Sequence, residues 1–267
     1  MRQLIMLGTG NAMVTKYYNT CFAIKTDDGI FLVDAGGGNT ILAQMERAQL
    51  NFSDIHHMFV THGHTDHVLG VIWAIRKIAD LMGKNKYEGN FHIYGHAEVI
   101  NIIKTIAALT LKKKDLNQLR SRIILETVRD GDVRKIPGMQ LTFFDILSTK
   151  KQQFGFSAVF SDGYKFSCLG DEPYNDHCHT VVENSDILLS EAFCLYADRD
   201  KFNPYEKHHS TVKEACEVAK NLNAKVVLLY HTEDKTFPNR KARYLNEADK
   251  YFSGGIYVPD DLEQIDF

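Results

Sequence analysis

The segment 61–67 limits what this chain can fold into more than any other part of the sequence. It reads Thr-His-Gly-His-Thr-Asp-His and lies between a strand-like apolar run and a helical pattern. Side chains two residues apart at a strand end point to the same side, so His62 and His64 can bind one cation. Asp66 and His67 then open the next helix, where a second cation can bind beside the first. The HxHxDH spacing therefore indicates a metal site at a strand-to-helix junction.

The alternative interpretation is that these histidines are surface or core residues near a helix start. The same pattern is expected by chance in about one of several hundred sequences of this kind, which favours the metal site. His56 and His57 fit no ligand spacing and are interpreted as ordinary polar residues.

Short apolar runs rich in β-forming residues recur along the chain, and stretches with helical periodicity separate several of them. This mixture predicts an α/β or α+β sandwich. Turn-rich segments at 26–29 and 161–163 predict one hairpin in each half, which suggests two similar β-rich halves. No Pro/Gly/Ser-rich linker divides the chain, so we expect a single domain over residues 1–267. The predicted strands are 4–7, 21–24, 30–33, 58–61, 91–94, 141–146, 157–160, 164–169, 187–189 and 226–230, and the predicted helices are 40–48, 68–82, 97–109, 211–222 and 240–251.

The bulk composition argues against several classes of protein. Hydrophobic residues make up 44% of the 267 residues, enough for a substantial core, and the formal charge of -3 provides no basic field for nucleic acid. The basic run 112–114 is interpreted as a solvated helix end or loop. Five widely spaced cysteines without a CxxC pair favour neither a disulfide framework nor a cysteine zinc site. Without a signal peptide or an apolar run of membrane length, a cytoplasmic protein that does not contact the membrane is expected.

Two further candidate ligands follow apolar strands elsewhere in the chain. Asp171 comes shortly after the predicted strand 164–169, where a carboxylate can bridge two cations. His231 follows the predicted strand 226–230, at the carboxyl end of a buried run. Either residue alone would more often be a cap or a polar loop residue. Together with HxHxDH, they are interpreted as donors to the same metal centre.

Eight short segments share the pattern of a known family. They are 7–12 (LGTGNA), 18–21 (YNTC), 33–38 (VDAGGG), 61–67 (THGHTDH), 169–173 (LGDEP), 190–193 (SEAF), 209–211 (HST) and 228–231 (LLYH). On these segments the chain resembles the metallo-β-lactamase superfamily, and within it the ribonuclease Z-like branch of metal-dependent hydrolases. The segments run through almost the whole chain in the family order. HxHxDH with the downstream Asp and His is highly specific for the superfamily, and HST is moderately specific for the branch.

The resemblance implies an α+β fold, a four-layer αβ/βα sandwich with two sheets back to back and helices outside. It also implies two divalent metal ions at one edge, zinc in the first place and Mn²⁺ as the alternative. Asp34 would support the ligand loops rather than bind metal, and a homodimer is expected because relatives commonly dimerise. The implied ligands are His62, His64 and Asp171 for the first ion, and Asp66, His67, Asp171 and His231 for the second.

The sequence departs from the family pattern at two places. The family normally supplies another histidine to the first ion, from the strand end before a Gly-Phe or Gly-Tyr dipeptide, and Leu147 stands at the expected position. An apolar side chain cannot donate, so a weaker first site is expected unless Asp145 or Ser148 substitutes. The segment 150–170 is also too short for the protruding arm with which tRNA-processing members grip tRNA, so processing of tRNA is not expected.

The resemblance also suggests roles in catalysis. Two cations roughly 3.5 Å apart would deprotonate a bridging water near neutral pH and so create a hydroxide nucleophile. Asp66 would orient that water or accept its proton. His209 is the candidate for protonating the leaving oxygen, with Glu191 as a hydrogen-bond acceptor that tunes it. Ser210 is available as the cap of the following helix, and the adjacent His208 is an alternative donor that we expect to point away.

Three functions fit these residues. The first is a zinc-dependent phosphodiesterase that acts on RNA or on a small cyclic or aryl phosphodiester. The second is a hydrolase of another ester, of the arylsulfatase or thioesterase type, because one fold and metal centre serve several electrophiles. The third is a metal-binding protein with little catalytic activity, which Leu147 suggests.

Overall fold

A computed structural model describes residues 2–267. The chain contains two compact units. Unit 1 comprises the described residues up to Gly8, together with Tyr18–Arg129 and Asp261–Phe267, and unit 2 comprises Thr9–Tyr17 and Asp130–Asp260. Each unit contains one seven-stranded sheet, in agreement with the two β-rich halves indicated by the sequence. The single domain over 1–267 stays a prediction.

Unit 1 is a mixed sheet with helices packed on it, in the strand order β14-β1-β2-β3-β4-β5-β6. Its longest helix buries Val68, Val71 and Ile75, which are spaced three and four residues apart and so share one face. These residues belong to the same apolar core as Leu32 and Met58 of the sheet. The elements are β1 (Gln3–Gly8), β2 (Cys21–Thr26), β3 (Gly29–Val33), α1 (Thr40–Arg47), β4 (Ile55–Phe59), α2 (Thr65–Gly83), β5 (Phe91–Gly95), α3 (Ala97–Thr110), α4 (Lys113–Leu119), β6 (Ile123–Thr127) and β14 (Gln264–Asp266).

Unit 2 is built on the same plan, with the strand order β13-β12-β11-β10-β9-β8-β7. Val212 and Cys216 from one helix share an apolar core with Leu188 and Leu229 of the sheet. The elements are β7 (Val133–Ile136), β8 (Met139–Asp145), β9 (Phe154–Phe160), β10 (Lys165–Cys168), α5 (His179–Val182), β11 (Ile187–Glu191), α6 (Arg199–Phe202), α7 (Val212–Asn221), β12 (Val226–Tyr230), α8 (Arg240–Ala248) and β13 (Gly255–Tyr257).

Each predicted strand and helix overlaps an observed element, and both predicted hairpins are confirmed as antiparallel pairs, β2 with β3 and β9 with β10. The elements that the sequence did not predict are α4, α5, α6, β6, β7, β13 and β14. Most of them are short or partly exposed, and β7 alternates exposed and half-buried residues. Such segments carry little apolar periodicity and form by pairing with a neighbouring strand or by docking on a larger core.

The N-cap of helix α7 lies one residue later than the sequence suggested. The N-cap is Thr211 rather than Ser210, and it forms a capping box with Glu214. The Glu214 carboxylate accepts the Thr211 backbone N–H at 2.9 Å, which satisfies a donor that the helix itself leaves unpaired. The backbone N–H of Ser210 instead donates to the Glu191 carboxylate.

Both sheets place candidate residues after parallel strands. In unit 1, Asp34 follows β3 and His62 follows β4, which runs parallel to it. In unit 2, β10, β11 and β12 run parallel; Asp171 follows β10, Glu191 ends β11 and His231 follows β12. The carboxyl ends of neighbouring parallel strands lie at one edge, so each sheet gathers its own candidates.

Within residues 2–267, no helix combines the length and the apolar character that crossing a bilayer requires.

Candidate metal-binding and catalytic residues

In unit 1, the two histidines of the HxH pair converge. The His62 Nε2 atom lies 2.8 Å from the His64 Nδ1 atom. His62 is fully buried, and its Nδ1 atom lies 2.9 Å from the Thr61 hydroxyl. Backbone alternation at the end of β4 therefore brings both rings to one point, as the spacing predicted.

Asp34 is the acceptor that organises this cluster. Its carboxylate accepts the Thr61 backbone N–H and the Thr61 hydroxyl, each at 2.8 Å. It also accepts the His67 Nδ1–H at 2.7 Å, so the lone pair of the His67 ring is on Nε2. Asp34 adopts φ 53°, a left-handed conformation that aspartate tolerates better than most residues. These contacts agree with the supporting role expected for Asp34.

The start of α2 is docked closely on the loop after β3. The Ala35 backbone N–H donates to the His67 carbonyl at 3.2 Å, and the Gly70 N–H donates to the Gly36 carbonyl at 2.8 Å. A Cβ atom at Gly70 would lie 1.8 Å from the Ala35 carbonyl oxygen, so only glycine permits this approach. Asp66 is buried in the first turn of α2, and one of its carboxylate oxygens lies 3.5 Å from His67 Nε2.

In unit 2, Asp171 and His231 lie together although 60 residues separate them. A carboxylate oxygen of Asp171 lies 3.3 Å from the His231 Nε2 atom, and both side chains are buried. His231 adopts φ 56°, a strained conformation for this residue type. The backbone N–H of the next residue, Thr232, donates to the Thr9 carbonyl at 3.0 Å, which holds the chain in this conformation.

The structure places Gln153, which the sequence did not single out, against Asp171. Gln153 is buried and its amide donates to the Asp171 carboxylate. Leu147, the position assigned to the missing histidine, is 50% exposed and adopts φ 54°. The sequence feature that could have pointed to Gln153 is its position, two residues before the Gly155-Phe156 dipeptide.

A second group in unit 2 joins Glu191, His209 and His231. Their potential donor atoms all lie within 4.8 Å of one another. A Glu191 carboxylate oxygen lies 3.5 Å from His209 Nδ1, and the His209 ring stacks on Phe193 with centroids 4.8 Å apart. His208, the alternative donor, is exposed and its Nδ1 atom lies 3.0 Å from the Thr149 hydroxyl.

The pKa of His209 is raised above its ordinary value. Burial opposes this by favouring the neutral ring, but the Glu191 carboxylate, through its hydrogen bond and its charge, outweighs burial, and the charge of Asp171 adds to the effect. His209 is therefore better suited to carry a proton than an exposed histidine would be.

The donors present in each unit fit a divalent cation. Imidazole nitrogen and carboxylate oxygen are the ligands that zinc and manganese accept in proteins. The Asp34 hydrogen bond sets the His67 tautomer in the way that ligating histidines commonly require. The two units therefore each contain donors of the chemistry that the resemblance implies.

A family model described as "Anti-Pycsar protein Apyc1" matches residues 2–248. The chain belongs to this family. Among curated proteins, this family member is similar to the ribonuclease Z of Thermococcus sibiricus, with 26% identity over 307 aligned positions that cover 99% of this chain and 96% of that protein. The ribonuclease Z of Thermococcus onnurineus is 24% identical, with 100% and 95% covered.

Solved structures share the fold. The metallo-β-lactamase fold protein YhfI from Bacillus subtilis matches with a TM-score of 0.78 at 18% identity, covering 100% of both chains. The short form of human tRNase Z matches with a TM-score of 0.76 at 21% identity, covering 99% of this chain and 98% of that one.

These comparisons confirm several predictions for this family member. It is a ribonuclease Z-like protein of the metallo-β-lactamase superfamily with the expected α+β sandwich fold. It is a metal-dependent hydrolase, a phosphodiesterase that resembles ribonuclease Z.

Proposed function

We propose that this protein hydrolyses a small phosphodiester, with a cyclic nucleotide as the representative substrate. The observation that carries the proposal is the group of Glu191, His209 and His231, which places a half-buried histidine with a raised pKa beside a candidate metal ligand. The proposed cofactor is two zinc ions, with Mn²⁺ as the alternative. The proposed ligands are His62, His64, Asp66 and His67 from unit 1, and Asp171 and His231 from unit 2.

Bound divalent cations would supply a water nucleophile near neutral pH and would neutralise the charge that develops on the phosphate oxygens. Asp66 is proposed to orient the attacking water, because its carboxylate is buried at the start of α2 beside a candidate ligand. The Asp34 carboxylate would keep His67 in the tautomer that presents Nε2.

His209 is proposed to donate a proton to the leaving oxygen. The Nδ1 atom faces Glu191, so this carboxylate can accept the Nδ1–H while Nε2 carries the transferable proton. Stacking on Phe193 fixes the plane of the ring. Glu191 is itself held, because the backbone N–H of Ser210 donates to its other oxygen. Glu191 is therefore proposed as a positioning residue.

The choice of a small substrate rests on the segment 150–170. In unit 2 this segment forms strands β9 and β10 of the central sheet, which pair antiparallel around the tight turn at 161–163. Residues 154–168 of this segment lie in that hairpin. It cannot also form a protruding arm of the kind that grips a folded RNA.

The test compares His209→Ala with the matched control His208→Ala on two kinds of substrate. Protein loaded with Zn²⁺ or Mn²⁺ would be assayed on 3′,5′-cyclic nucleotides, bis-p-nitrophenyl phosphate and a precursor tRNA. General acid catalysis contributes about 10²–10⁴-fold, so His209→Ala should lower kcat on cyclic nucleotides by that factor. Because p-nitrophenolate leaves without a proton, the loss on the aryl ester should be much smaller. His208→Ala should have the activity of the wild type, and Asp66→Ala should abolish activity on both substrates.

Several results would contradict the proposal. Equal losses on both substrates would remove His209 from the role of acid. Faster turnover of precursor tRNA than of any small phosphodiester would refute the substrate class. Turnover of only an arylsulfate or a thioester would favour another ester hydrolase, and no turnover of any ester despite full metal loading would favour a metal-binding protein without catalysis. Metal analysis of the same samples would test the two-ion stoichiometry, while a cytoplasmic location and a homodimer stay predictions.

A further inference from the structure

Gln153 lies at the entry to strand β9 and is 1% exposed. Its backbone carbonyl accepts the Ile146 N–H at 3.1 Å, which closes the loop between β8 and β9 at its base. The side chain reaches inward rather than to solvent, unlike that of the neighbouring Gln152, which is exposed. A buried amide must find hydrogen-bond partners within the protein, and Gln153 finds two of them on Asp171.

Gln153 contacts Asp171 through both ends of its amide. Its Nε2 donates to the Oδ1 atom of Asp171, and its Oε1 accepts the Asp171 backbone N–H at 3.2 Å. The second bond fixes which end of the amide faces the carboxylate. In a flipped amide, the NH2 group would face the Asp171 backbone N–H, and the amide oxygen would face the carboxylate oxygen, so neither hydrogen bond could form. Gly170 makes room for the contact, because a Cβ atom there would lie 2.7 Å from Gln153 Oε1.

The contact leaves the other oxygen of the carboxylate directed elsewhere. Asp171 Oδ2 lies 3.3 Å from His231 Nε2 while Oδ1 accepts from Gln153. The amide is neutral, so it orients the carboxylate without cancelling the negative charge that a cation needs. A lysine or arginine in the same place would compete with the metal for that charge.

The two polar residues considered as substitute donors in this region are engaged in other contacts. Asp145 accepts the Leu147 backbone N–H at 2.8 Å and the Gln152 amide at 3.1 Å. The Ser148 hydroxyl donates to Glu172 at 2.8 Å. Gln153, in contrast, directs both ends of its amide to Asp171.

We propose that Gln153 is a positioning residue of the metal centre, whose amide holds the Asp171 carboxylate in its metal-binding orientation. The proposal rests on the proposed function, in which Asp171 is a ligand. Residues that orient a metal ligand through hydrogen bonds typically change metal affinity by about 10–100-fold when they are replaced.

The test measures metal affinity directly. Gln153→Met keeps the length and volume of the side chain but removes both hydrogen bonds, and Gln152→Met is the matched control one position earlier. Zn²⁺ affinity and stoichiometry would be determined by competition with a chromophoric chelator, and the visible absorption of the Co²⁺-loaded protein would report ligand geometry. Asp171→Asn, measured in parallel, defines the affinity that depends on this carboxylate.

The expected result is that Gln153→Met weakens the Asp171-dependent affinity by about 10–100-fold and changes the Co²⁺ spectrum, while Gln152→Met matches the wild type. Loss of metal in Asp171→Asn together with unchanged affinity in Gln153→Met would overturn this inference alone. Unchanged affinity in Asp171→Asn would instead refute the proposed ligand set. Circular dichroism of the metal-free proteins checks folding, with Gln153→Ala as a second variant. Failure of both variants to fold would assign Gln153 to folding and overturn the positioning role.

Discussion

Replacing Asp34 by asparagine is expected to weaken metal binding through the proton positions of two histidines. Asparagine tolerates the left-handed backbone at this position and can still accept the Thr61 N–H. Its amino group, however, faces the Thr61 hydroxyl and His67 Nδ1, which now donate to the carboxylate at 2.8 Å and 2.7 Å. Both groups must reverse to become acceptors. His67 would then carry its proton on Nε2, the atom proposed to bind metal.

The reversal extends to a second ring. The Thr61 hydroxyl donates to Asp34 and lies 2.9 Å from His62 Nδ1, so His62 donates from Nδ1 and keeps its lone pair on Nε2. Once the hydroxyl accepts from the introduced amide, it can donate only to His62 Nδ1, which moves the His62 proton to Nε2. One hydrogen bond to a charged group contributes about 1.5–3 kcal/mol, which corresponds to roughly 10–150-fold in affinity.

Zn²⁺ competition titrations and ¹⁵N spectra of the metal-free protein would test this reasoning. Asp34→Asn should bind Zn²⁺ about 10–100-fold more weakly than the wild type, and the ¹⁵N shifts of His62 and His67 should show protonation at Nε2. Asp54→Asn, at an exposed aspartate of the same unit, is the matched control and should change neither. A folded Asp34→Asn protein with wild-type affinity and unchanged tautomers would refute the argument.

Two further predictions concern the stability of unit 1. Gly70→Ala should destabilise the protein by about 1–3 kcal/mol in urea unfolding, because the new Cβ would collide with the Ala35 carbonyl. Gly83→Ala is the control, because a Cβ there meets no atom within 4 Å. Equal effects of the two substitutions would contradict the packing argument. Burial, followed by the charge of His92, lowers the pKa of His57 to about 4 from 6.5, so the unfolded chain binds more protons and the free energy of unfolding should fall as the pH drops from 6.5 to 4. In His57→Gln, the free energy of unfolding should fall by about 1 kcal/mol less over this pH range, after a discount for the partial exposure of His57. Parallel pH profiles for the two proteins would contradict this prediction.

The sequence alone determined those features whose interactions are local. The spacing of His62 and His64 places both rings on one side of a strand end, because backbone alternation does not depend on the rest of the fold. Apolar periodicity likewise predicted α2 and β12, and the glycine-containing turns predicted both hairpins. Family resemblance added the expected fold and ligand set, because the motifs recur in family order along the chain.

Tertiary structure alone decided which distant side chains meet. Gln153 contacts Asp171 across 18 residues, and Glu191 approaches His231 because β11 and β12 are adjacent parallel strands. Glu191 also approaches His209, because the Ser210 backbone N–H donates to the Glu191 carboxylate. Within the local sequence, only its distance from the Gly155-Phe156 dipeptide separates Gln153 from the exposed Gln152, and that distance does not indicate a contact with Asp171. Strand order and register set these contacts, and both depend on how the whole sheet buries its apolar faces rather than on any short stretch of sequence.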